Sequence, residues 1–144
     1  MRSSPRHGGV AAIVVAAIAC GSCGGQAHAS GSGTLTLPGG TPVSAHDISV
    51  AASEMCTVDS QTHANPAAVL RAFYAGPHDS LHLLAAVASA KNAAQAQHLL
   101  DVMVAYEGAI AATPPPPETA QDADSLVQAV DATLKVVGIT PPSC

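Results

Sequence analysis

Histidine is the side chain with the widest chemistry that this sequence supplies in number. His28, His46, His63, His78, His82 and His98 all follow the apolar run near the N-terminus. Imidazole ligates metal ions and takes up protons near neutral pH. In His78-Asp-Ser-Leu-His82 the two rings stand at i and i+4, one above the other on a helix, which suits a metal ion. The glutamate of H-E-x-x-H is missing, so the metalloprotease reading fails. Zinc needs a third or fourth ligand. His98 would lie about 24 Å further along an unbroken helix and on nearly the opposite side. A break between Ser89 and Asn92 would fold it back, and His46 or His63 could approach from a loop. The competing reading makes these histidines solvated residues flanking an apolar stripe. Tyr74 and Tyr106 offer haem ligation or stacking on a ligand, against buried rings with the hydroxyl at a wet edge. Glu107 and Asp101 have no second placed carboxylate and read as solvated helix faces. There is no G-x-S-x-G, no matching Cys–His order and no glycine-rich phosphate loop, so the chain reads as non-enzymatic.

The elements that must position these groups read as helices. Ser44-Ala-His-Asp47 is a capping pattern, with Ile48, Ala52 and Met55 following at helical spacing. This first helix is expected to carry Cys56 near its end, before a polar loop over 59–64. Asn65-Pro66 restarts a helix, with Val69, Leu70 and Phe73 on its apolar side, and Gly76-Pro77 stops it. Residues 79–112 hold two stripes, Leu81, Leu84, Ala85 and Ala88, then Leu99, Val102, Met103, Tyr106 and Ile110. They form one bent helix or two. Ala105, Gly108, Ala109 and Ala112 suggest a flat surface against which another helix packs. Pro114 to Pro117 force an extended link. A last helix begins near Glu118, with Asp122 and Asp124 at its positive end. Ala123, Leu126, Val127, Val130, Leu134 and Val137 make its stripe, and Gly138 ends it. Thr34 to Pro38 alternates like a strand, but the sequence shows nothing for it to pair with and no hairpin signal.

Where the chain works is written at its start. Arg2 and Arg6 precede an uncharged apolar run, Val10 to Cys20, too short to span a membrane and built like a secretory signal. Ala16 to Cys20 resembles a bacterial lipobox, which makes Cys20 the acylated first residue of the exported chain. The alternative is secretion after cleavage at Ala27-His28-Ala29. Residues 1–19 are then signal, 20–43 a disordered Gly/Ser/Thr/Pro tether with a reach of about 25 to 30 Å, and 44–144 the folded domain. Past the signal only Arg71, Lys91 and Lys135 offset ten Asp and Glu. So acidic a chain lacks the basic footprint nucleic acid requires, and it would dock on anionic lipid only through an acyl anchor.

With no tryptophan and few aromatics, the core is alanine, leucine and valine and needs a covalent staple. An oxidising compartment supplies one by joining Cys56 to Cys144, worth about 4 to 5 kcal/mol in chain-entropy terms. These readings give an all-α bundle of four to five amphipathic helices, stapled by one disulfide.

The signal, the alanine-rich helices, the Pro114-Pro-Pro-Pro-Glu118 link and the terminal Pro-Pro-Ser-Cys resemble small exported lipoproteins of high-GC Gram-positive (actinobacterial) type. The resemblance implies lipidation at Cys20 and nothing further. The expected function is a membrane-anchored, non-catalytic module on the outer face of the cell membrane. It would bind an envelope protein or small ligand without a cofactor. The alternative is a secreted metal- or haem-binding carrier using His78 and His82.

Overall fold

The computed structural model describes residues 33–144; the segment expected to be a signal and Cys20 lie outside the described residues. Five α-helices carry the fold: α1 (Ala45–Ala64), α2 (Leu70–Ala75), α3 (His78–Ser89), α4 (Ala93–Ala111) and α5 (Thr119–Val137). A short 3-10 turn, Pro66–Ala68, joins α1 to α2. Neighbours in sequence pack together, α3 on α4 and α4 on α5, while α1 closes the bundle against α5 and α3. The expected all-α bundle, stapled by one disulfide, is the observed one.

Each stripe turns inward. Ile48, Ala52 and Met55 of α1, the four predicted residues of α3, and Leu99, Met103, Tyr106 and Ile110 of α4 are buried in one cluster. Ala123, Leu126, Val130, Leu134 and Val137 of α5 complete it, with Phe73 filling the gap beside α2. Alanines at the contacts let helix axes approach closely, which offsets their small individual area. Ser44 caps α1 by accepting the Asp47 amide at 3.2 Å. Asn92 caps α4 by accepting the Gln95 amide at 3.0 Å, so the 79–112 stretch is two helices broken in the expected window. Gly138, at φ 85°, takes the left-handed conformation that ends α5.

Five expectations are corrected. Residues 59–64 are helix, not loop, and Cys56 sits mid-helix, because Val58 and Thr62 continue the inward stripe while Asp59, Ser60, Gln61 and His63 point outward or to the rim. Asn65 makes no side-chain cap, and Leu70 is 40% exposed rather than core. Ala105 and Gly108 face solvent instead of a helix. The extended Thr34–Thr36 segment has a partner. It forms strand β1, antiparallel to β2 (Pro42–Ser44), with Leu35 opposite Val43. Pro38 and Gly39 make the turn, closed by the Gly40 amide to Leu37 carbonyl bond at 3.0 Å, with φ of 103° at Gly39. A two-stranded hairpin is marginal alone. Here Leu35, Leu37 and Val43 rest on the helical core, which holds it.

Two buried threonines join the helices by one device. Thr62 donates its hydroxyl to the Val58 carbonyl at 2.8 Å, leaving its oxygen to accept from the Tyr106 hydroxyl at 2.7 Å. Thr133 likewise donates to Ala129 at 2.7 Å and accepts from the Gln95 amide group at 3.1 Å. Each satisfies a polar group inside the core while fixing the register of two helices. The disulfide Cys56–Cys144 ties the segment after α5 back to the middle of α1, across 88 residues of sequence.

Candidate metal centre

The corner between α2 and α3 gathers the reactive side chains. Gly76-Pro77 ends α2 and turns the chain so that His78 opens α3. Phe73, fully buried, lies edge-on beneath the His78 ring at 5.5 Å, and Tyr74 covers it at 4.7 Å. His82, one turn on, meets His78 in a T-shaped contact at 4.8 Å. The i, i+4 reading of this pair holds in space.

The third group is not a histidine. Glu107 reaches across from α4 and places Oε1 3.2 Å from His78 Nε2. One donor atom from each of His78, His82 and Glu107 lies within 4.8 Å of the others. Glu107 is therefore not a solvated face: its side chain is 23% exposed. His46 and His98 are exposed elsewhere, and His63 belongs to a separate cluster with Asp59 and Asp124. Asp101 faces solvent and accepts from Gln97 at 2.7 Å.

Two carboxylates flank the His78 ring. Asp79 Oδ1 lies 2.7 Å from His78 Nδ1, so that nitrogen carries a proton and donates it. The other ring nitrogen, Nε2, faces Glu107. Glu107 Oε1 is itself buried and has no hydrogen-bond partner. At 3.2 Å, Nε2 and Oε1 are bridged either by a proton on the ring or by a metal ion. Tetrahedral zinc, with bonds of about 2.0 to 2.1 Å, separates its ligand atoms by roughly 3.3 Å, close to the spacing of this pair. Asp79 stands where a carboxylate orients a ligating histidine from behind.

Charge around the corner is negative. The Tyr74 hydroxyl is held above its ordinary range by partial burial and by the Glu107 charge. Tyr106 is pushed up by burial, against the opposing hydrogen bond to Thr62, and so stays a neutral core residue. It buries its hydroxyl too, instead of leaving it at a wet edge. Glu107 could have been picked out only by knowing that α3 and α4 are antiparallel neighbours, which places 78 and 82 opposite the second half of α4. Comparison with protein-family models, with curated proteins and with solved structures finds no match to this chain.

Proposed function

We propose that this chain is an exported, non-catalytic metal-binding protein, holding a Zn²⁺ or Cu²⁺ ion at His78, His82 and Glu107. One observation carries the reading: a buried Glu107 oxygen without a hydrogen-bond partner lies 3.2 Å from His78 Nε2, with His82 on the same face of α3. Two imidazoles and a carboxylate suit borderline divalent ions. The donor atoms lie within 4.8 Å of one another, a spacing that suits a bare ion better than haem, whose axial ligands must flank a wide flat ring. His82 is exposed, so remaining coordination positions are open to water or to an acceptor that takes the ion away.

Calorimetric titration of the purified chain with Zn²⁺ and Cu²⁺ tests this. A saturable site is expected that is weakened at least about tenfold by His82→Ala and by Glu107→Gln. Absence of saturable binding at micromolar ion, or binding that ignores both substitutions, would overturn it.

Cys20 is proposed as the lipid anchor that keeps the domain on the outer face of the membrane. Palmitate labelling should vanish in Cys20→Ala. A chain beginning at Ser30 without acyl mass would replace the anchor with free secretion.

A second reading is a docking module for an envelope protein, and it draws on exposed apolar side chains. Leu70 and Tyr74 on α2 and Val104, 66% exposed and one turn from Glu107, surround the same corner.

A further inference from the structure

We infer a second divalent-cation site, of harder character than the first, formed by Asp59 and His63 at the end of α1 and Asp124 near the start of α5. Asp59 and His63 stand at i and i+4, so both project from the same edge of α1. Asp124 meets them from α5, where α1 and α5 pack. One donor atom from each of the three lies within 4.8 Å of the others. Drawing ligands from facing helices is how bundles build ion sites.

Hydrogen bonding within the cluster is incomplete in a way that points to a cation. His63 Nε2 has one proton to give and lies 3.0 Å from Asp124 Oδ1. Asp59 Oδ1 is left 3.7 Å from the same nitrogen, too long for a hydrogen bond. That oxygen is buried and has no hydrogen-bond partner, and the Asp59 side chain is only 17% exposed. Among the described residues, the only basic group paired with either aspartate is this histidine. Two carboxylates thus converge on a single imidazole, with one oxygen out of reach of water. An ion seated between them would take one oxygen from each aspartate and the His63 nitrogen in place of its proton. His63 and Asp124 are about half exposed, which leaves room for bound water to complete the shell.

The donor set differs from the first site. Two carboxylates and one imidazole suit a Mn²⁺-class ion better than the softer set at His78. The two sites share no residue, so this inference stands or falls without the first.

The test uses Mn²⁺ and the full chain carrying His78→Ala and His82→Ala, which removes the first site. Electron paramagnetic resonance titration should find one bound Mn²⁺, with affinity reduced at least about tenfold by Asp59→Asn and by Asp124→Asn. Asparagine at 124 still accepts from His63, so a hydrogen-bonded clasp survives this change while an ion site does not. In the unsubstituted chain, substoichiometric Mn²⁺ should broaden the His63 ring resonances before those of His46 and His98. Uniform broadening of all three, or Mn²⁺ binding unchanged by both asparagine variants, would overturn the site and leave a purely structural clasp.

Discussion

Asp79 shows how one side chain can set the chemistry of another without touching an ion. It is almost fully exposed, at 93%, and its carboxylate accepts from His78 Nδ1. That contact engages Nδ1 and leaves Nε2 facing Glu107. Asp79→Asn keeps the shape but replaces an anionic acceptor with a neutral amide, so the ring is held less firmly. A loss of about 10- to 100-fold in Zn²⁺ affinity is expected, with the melting temperature of the metal-free chain unchanged. Calorimetry beside a thermal melt in chelator separates the two effects, and an unchanged affinity would remove Asp79 from the site. At this scale the sequence was legible only in part. The spacing of His78 and His82 is a local property and could be read directly. Glu107 could not, because its role depends on a packing contact that no one-dimensional pattern around it encodes.

Among the elements, the contact between the end of α1 and the start of α5 is expected to respond to pH. The Asp124 hydrogen bond and the charges of Asp124 and Asp59 raise the His63 pKa above its ordinary value, outweighing the opposing desolvation. A group with a raised folded-state pKa adds stability that is complete below the unfolded value, about 6.5, and is lost as pH rises through the folded one. Asp59 is also raised, chiefly by burial and then by Asp124, against the His63 charge. It therefore carries a penalty that develops as pH rises from about 3.8 through its folded value. Both effects favour the acid side. In chelator, His63→Gln should lower the melting temperature at roughly pH 6 and make little difference at roughly pH 8.5. A pH-independent difference would mean that the ring contributes through packing alone. Element boundaries were legible wherever a local signal set them, as at Ser44, Gly138 and the break between α3 and α4. The end of α1 was not, since a polar run reads as loop until Thr62 is seen to bury its hydroxyl against Tyr106.

For the whole molecule, the staple and the polar bridges must offset a core poor in large side chains. The disulfide closes nearly the entire helical domain into one loop, so its removal frees the unfolded chain more than the folded one. Cys56→Ser with Cys144→Ser is expected to cost up to about 4 to 5 kcal/mol, read from urea unfolding at unchanged slope. A loss below about 1 kcal/mol would mean that the helices hold without the staple, as the lower end of the observed range allows. The hairpin belongs to this scale as well. Its two three-residue strands persist only because Leu35, Leu37 and Val43 find the core, a contact that no local pattern announces.

Residue order alone determined the helices, their inward stripes and most of their ends, since side-chain periodicity, caps and prolines act within a few residues of backbone. It also narrowed which cysteines could pair, because Cys56 and Cys144 are the two that fall within the helical domain. Tertiary packing decided which acids meet which histidines. Glu107 joins His78, and Asp124 joins His63, only when helices distant in sequence lie side by side, and an unpartnered carboxylate oxygen becomes costly only after that packing has excluded water from it.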